Sequence, residues 1–147
     1  MRRIIFFVTS IALAACTAVQ TPKKGGMSAK DLGHGFSIRV LAQEVHGGFE
    51  SMGYFSHCFY QNEDLGQCDH MFPAPSGKFA IYQQASSGLV FFFNTKSHKS
   101  SQVTSQFQGL LNSATWQEKQ ERVDFLVGEP GSVHPLYFMY HAALDGS

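Results

Sequence analysis

Punctuation limits this chain more than any other feature. Beyond Phe36, Gly, Pro, Ser and Asn clusters recur about every ten residues, closer together than helices of ordinary length allow. The segments between them are short and rich in β-branched and aromatic residues. Phe36-Ser37-Ile38-Arg39-Val40-Leu41 alternates between two faces, and Tyr54 to Tyr60 is again strand-like. Lys78 to Gln83 alternates after the Pro73-Ala74-Pro75-Ser76-Gly77 turn. Ser86-Ser87-Gly88 then leads into Leu89 to Asn94, which is apolar enough to be covered on both faces. Gln102 to Phe107, a strand around Trp116, Arg122 to Val127 and Leu136 to His141 complete the series, with a hairpin turn over Glu118 to Glu121. Between Ser105 and Arg122, Leu110, Leu111, Ala114 and Trp116 form no helical stripe, and Gly109 interrupts the attempt. The expectation is one small all-β domain over residues 36–147, with seven or eight short antiparallel strands in a meander, sandwich or open barrel and little helix.

The N-terminus follows different rules. Met1-Arg2-Arg3, an apolar run from Ile4, and small residues at Ala14 and Ala15 are the parts of a secretory signal peptide. The run to Ala15 is too short for a membrane span, which needs about 20 apolar residues. Leu13-Ala14-Ala15-Cys16 resembles the lipobox of bacterial lipoproteins. That resemblance implies removal of residues 1–15, fatty acylation of Cys16 and permanent attachment to a membrane. Thr17, where an aspartate would signal retention, implies the periplasmic face of the cell outer membrane. Residues 16–35, with Pro22, Gly25, Gly26, Gly33 and Gly35, hold no sustained period. They are expected to form a flexible tether, with at most a helical turn over Ser28 to Leu32.

Charge removes some partners from consideration. The 11 Lys and Arg residues balance 11 Asp and Glu, and a cleaved leader would take Arg2 and Arg3 with it. No basic excess remains for a nucleic acid, so the expected partners are the membrane, through the lipid, and an envelope protein. With Cys16 lipidated, Cys58 and Cys68 are left as a pair in an oxidising compartment, and a disulfide across the polar loop Gln61 to Gln67 is expected.

Two local resemblances lie near the centre. Pro75-Ser76-Gly77-Lys78-Phe79-Ala80-Ile81-Tyr82, with Ser87-Gly88, Phe91-Phe92-Phe93-Asn94 and Val103-Thr104, resembles one blade of the TolB-like or WD40-like β-propellers. It implies a three- or four-stranded antiparallel meander from about Pro75 to Val127, since the chain is too short for several blades. Ser87-Gly88-Leu89-Val90-Phe91 is similar to the Ser-Gly-x-x-Tyr loop of periplasmic lysozyme inhibitors, with Phe91 in place of the tyrosine. It implies an inhibitor of a cell-wall-degrading enzyme, or an immunity protein, as one function class.

Catalytic machinery is not legible. Neither a phosphate-binding loop nor a dinucleotide fingerprint occurs, and His46-Gly47-Gly48 lacks the G-x-S-x-G nucleophile that an esterase oxyanion loop serves. His57, Cys58, Cys68 and His70 are of zinc-ligand type, but adjacent strand residues point to opposite faces and an oxidised pair offers no thiolates. Glu63-Asp64 and Glu118 with Glu121 fall in expected turns, and His34, His98, His134 and His141 are scattered. The expectation is no catalytic residue, no metal and no cofactor: a non-catalytic binding or accessory module, with a small hydrolase built on His57 or His70 as a rival. Some of the aromatics from Tyr54 to Phe93 are expected to remain outside the core as binding anchors.

Overall fold

The computed structural model describes residues 29–45, 51–104, 109–129 and 136–145. The leader, Cys16, the His46-Gly47-Gly48 stretch and His134 lie outside the described residues. Among the described residues ten strands follow one another: β1 (Ala29–Gly33), β2 (Phe36–Val45), β3 (Ser51–Tyr60), β4 (Glu63–Pro73), β5 (Phe79–Gln84), β6 (Val90–Asn94), β7 (Lys99–Gln102), β8 (Leu110–Gln117), β9 (Arg122–Gly128) and β10 (Tyr137–Ala143). A 3₁₀ turn, Glu118–Gln120, joins β8 to β9. The fold is all-β, as the turn spacing requires. β1 to β7 form one antiparallel meander in chain order, and β8 to β10 form a second, three-stranded sheet in the order β10-β9-β8.

The long strand β4 is where the larger sheet bends. Its first part pairs with β3, matching Glu63 to Tyr60, Asp64 to Phe59 and Gln67 to His57. Its second part pairs with β5, from Cys68 opposite Gln84 to Pro73 opposite Ala80. Register irregularities fall between His57 and Phe59 and between Cys68 and His70. Such bulges increase local twist and let a strand leave one partner for another. The bend carries Phe36 and Tyr60 over to Phe93 of β6, with ring centroids 6.2 and 5.4 Å apart.

Two cores result, one on each side of β5 and β6. Ala80, Tyr82 and Phe93 point into the first, with Phe36, Met71 and the Cys58–Cys68 disulfide. Ile81 and Val90 point into the second, with Leu111, Val123, Phe125, Val127 and Ala142 of the three-stranded sheet. β6 is therefore covered on both faces, as its unbroken apolar run led one to expect. The disulfide joins Cα atoms 5.5 Å apart and locks β3 to β4 at the bend. Burial raises the Tyr82 phenol above its ordinary pKa, opposed by the hydrogen bond it makes with Ser100.

Polar groups tie the layers together. Buried Gln83 donates to the carbonyls of Gly88 and Gly109 at 2.8 and 2.7 Å, and its Oε1 accepts the Leu111 N–H at 2.9 Å. One side chain thus joins β5 to its own turn and to the start of β8. Ser76 donates to the Glu118 carboxylate, fastening the Pro73–Lys78 turn to the 3₁₀ turn. Gly77 has φ +71° and lies under the His34 ring, where a Cβ would come within 2.7 Å of the imidazole. Only glycine satisfies both conditions, so the β1–β2 turn rests directly on the β4–β5 turn.

Three boundaries depart from the sequence reading. Residues 29–33, expected in the tether or a helical turn, form β1, because Ala29, Lys30 and Asp31 pair with Arg39, Ile38 and Ser37. Glu63 to Gln67, expected as the loop inside the disulfide, belong to β4, and the turn shrinks to Gln61 and Asn62. Polar residues are tolerated there because this part of the strand is largely open to solvent. Of the strand expected over Gln102 to Phe107, only Gln102 is strand as far as Thr104, as the end of β7, with Lys99 opposite Asn94 and Gln102 opposite Phe91, and residues 105–107 lie outside the described residues.

Candidate functional site

The most catalytic-looking constellation sits on the outer face of the bent sheet. His57 is 6 % exposed, and its Nδ1 lies 3.0 and 2.9 Å from the two carboxylate oxygens of Asp64. The two strand ends meet because β3 and β4 are antiparallel with Gln67 directly opposite His57. An Nδ1–H donating to Asp64 leaves Nε2 as an acceptor, and the amide nitrogen of Gln43 reaches it at 3.0 Å. Gln67 in turn donates to Gln43 Oε1 at 3.3 Å. A histidine oriented by a carboxylate is two thirds of a nucleophilic triad, but the third place is held by an amide. Beside this network Arg39 lies over the Phe59 ring, 4.4 Å from its centroid, and donates to the Gln61 carbonyl. Every polar atom named here points to another within the cluster, which holds the β2–β3–β4 face together.

A second cluster lies on the outer face of the three-stranded sheet. Asp124 receives His141 Nδ1 at 2.6 Å, Gln117 Nε2 at 2.6 Å and Arg122 Nη2 at 3.2 Å. Antiparallel register produces it: Asp124 stands between His141 on β10 and Thr115 on β8. The His141 hydrogen bond, aided by the Arg122 charge, holds the Asp124 carboxyl below the usual carboxylate range. A single carboxylate bound by three donors is an acceptor already satisfied, and not a poised acid or base.

The third feature is apolar. Leu136, Tyr137, Phe138 and Met139 are 60, 54, 50 and 61 % exposed, consecutive large side chains at the start of β10. β10 is an outer strand of its sheet, paired only with β9 among the described residues. Tyr137 and Met139 share one face and Phe138 lies on the other. Tyr137 stands across from Gly128, where a Cβ would meet its ring at 2.9 Å, and Leu110, itself half-exposed, completes that row. Of the four outer strands among the described residues, β1 carries Lys30 and Asp31, β7 is Lys99-Ser100-Ser101-Gln102, and β8 is mostly small or polar beyond Leu110 and Leu111. β10 alone presents a run of bulky apolar residues at an edge, where natural sheets usually place charge or proline.

No protein-family model, curated protein or solved structure matches this chain. The structure brings Cys58 and Cys68 together as a disulfide. Among the described residues it gathers no group of three or more His, Cys, Asp and Glu side chains able to hold a metal. Glu63 and Asp64 do not act together: Glu63 pairs with His98 at 2.8 Å and Asp64 with His57. Glu118 and Glu121 line a shallow cavity of about 420 Å³ with Lys78, Phe79, Leu144 and Asp145, and Glu118 is engaged by Ser76. In the Ser87-Gly88-Leu89-Val90-Phe91 stretch, Ser87 donates to Gln84 and accepts from the Leu89 N–H, while Phe91 stacks on Tyr82. The Ser87 hydroxyl thus serves its own turn.

Of the aromatics expected as anchors, Tyr54 is outside, 58 % exposed on β3, whereas Phe59, Tyr82, Phe92 and Phe93 are buried. Leu136 to His141 reads as a strand in the sequence, but its exposure at an edge does not. Its signal was present: an apolar segment without alternation, which means burial on two faces in a central strand and exposure in an outer one.

Proposed function

We propose that this chain is a non-catalytic binding module of the cell envelope, held on the periplasmic face of the outer membrane by lipid on Cys16, and that the β10 edge is its docking face for an envelope protein. The exposed run Leu136 to Met139 on an outer strand carries this reading. An unpaired strand edge offers a row of backbone donors and acceptors, and apolar side chains on both faces add affinity to any strand that lies along it. The lipobox resemblance supplies the address. The closed His57–Asp64–Gln43 network weighs against the hydrolase reading, because the imidazole nitrogen that would activate a nucleophile is already hydrogen-bonded.

Affinity capture of the tagged, acylated chain from membranes tests this. Proteins that travel with the parent chain and with Ser100→Lys, on the β7 edge, but not with Met139→Lys, are expected. Identical sets from all three chains would remove β10 as the docking face. A Cys16→Ser chain that fractionates and matures as the parent does would remove the anchor.

A further inference from the structure

Resting on that reading, we propose that the strand lying along β10 is β10 of a second copy of this chain, so that two three-stranded sheets join across a two-fold axis into one of six strands. Three observations favour this occupant. The exposed part of the edge, Leu136 to Met139, carries no charged side chain, so two strands meet there without like-charge repulsion, and His141 further along is engaged with Asp124. The residues flanking Phe138, Tyr137 and Met139, are also both large, apolar and exposed. An antiparallel pairing centred there sets Phe138 against Phe138 of the second copy on one face. On the other face it sets Tyr137 against Met139, twice.

The third observation is area. Four large side chains per copy, each about half exposed, amount to on the order of 800 Å² over two copies if a full aromatic side chain is worth roughly 150–250 Å². The backbone ridge brings the total close to the roughly 1,000 Å² that a specific interface needs. Of the other outer strands, β1 with Lys30 and Asp31 and β7 with Lys99 place charge where a neighbouring strand would lie, and uncharged β8 offers only Leu110 as a large exposed side chain.

The test uses the full chain in mild detergent, with Cys16→Ser so that no thiol outside the Cys58–Cys68 bond remains. Light scattering over a micromolar concentration range should give a dimer mass. Phe138→Cys should form a disulfide-linked dimer several-fold faster than Ser100→Cys at the β7 edge. Phe138→Lys should shift the chain to monomer while its far-ultraviolet β signal stays the same; should that variant fail to fold, Met139→Lys serves the same purpose. A monomer mass throughout, or cross-linking at position 138 no faster than at position 100, overturns the second copy. A monomeric chain that captures a different protein through β10 keeps the docking edge and overturns the dimer. A monomer whose adhesion to phospholipid vesicles is lost in Phe138→Lys gives the face to lipid and overturns both.

Discussion

Gln83 Oε1 accepts the backbone N–H of Leu111 at 2.9 Å, across the boundary between the seven-stranded and three-stranded sheets. The same side chain donates to Gly88 and Gly109, so backbone groups satisfy three of the four hydrogen bonds that the amide can make. Gln83→Met keeps the volume and leaves the buried Leu111 N–H and the Gly109 carbonyl with no partner. An unsatisfied buried group costs about 1–3 kcal/mol, so a loss of about 2–4 kcal/mol is expected in urea unfolding. A change under half a kcal/mol, roughly the level of an ordinary surface substitution, would show that the two sheets are held by apolar packing alone.

His57 takes part in structure through both ring nitrogens. Removing it in His57→Ala leaves Asp64 and Gln43 facing a gap and is expected to destabilise by about 2–3 kcal/mol. Gln43→Ala, on the half-buried side of the network, should cost less. The comparison is made by chemical denaturation of both variants; equal and negligible effects would contradict a holding role for the cluster.

Asp124 makes stability depend on pH in a defined direction. Its folded pKa is depressed, first by the His141 hydrogen bond and then by the Arg122 charge. The contribution is therefore fully present above the unfolded value of about 3.9 and is lost as the pH falls through the lower folded value. Asp124→Asn should be less stable than the parent at neutral pH, and the difference should shrink in acid. His141→Ala should remove the largest part of the same effect. Denaturation midpoints across the acid range decide it, and a gap that widens on acidification would contradict the assignment.

The Cys58–Cys68 bond closes a short loop, with a sequence separation of 10. Chain entropy then limits its contribution to about 3 kcal/mol. Cys58→Ser with Cys68→Ser should lower stability by up to that amount and leave a folded domain, because the surrounding core of Phe36, Met71, Tyr82 and Phe93 remains. Thiol titration of the unfolded parent and calorimetry of the double variant test the two halves of this expectation. Complete unfolding of the double variant would mean that the bend at β4 depends on the covalent bond.

Much of this fold is legible in the sequence for local reasons. Val90 to Asn94 announces burial on two faces by having no polar alternation, and Glu118 to Gln120 turns the chain where charge density peaks between apolar runs. What is not legible depends on partners distant in sequence or on bulges. Glu63 to Gln67 has loop composition and becomes strand because β3 supplies its hydrogen bonds. Ala29 to Gly33 becomes β1 because β2 does the same. The His57–Asp64 contact follows from a register irregularity that no periodicity reveals. The β10 edge is hidden for a related reason: Leu136 to Met139 look like core until it is known that nothing pairs beyond them among the described residues.

Site-specific photo-cross-linking from position 138 of the full chain, in the cells that express it, tests the proposed docking edge most directly. A benzophenone side chain in place of Phe138 should give a defined protein adduct. One of twice the chain's mass identifies a second copy, and one of another mass a different protein. The same probe at Ser100 should give none. No adduct at position 138, or the same adducts at both positions, would contradict β10 as the surface through which this protein works.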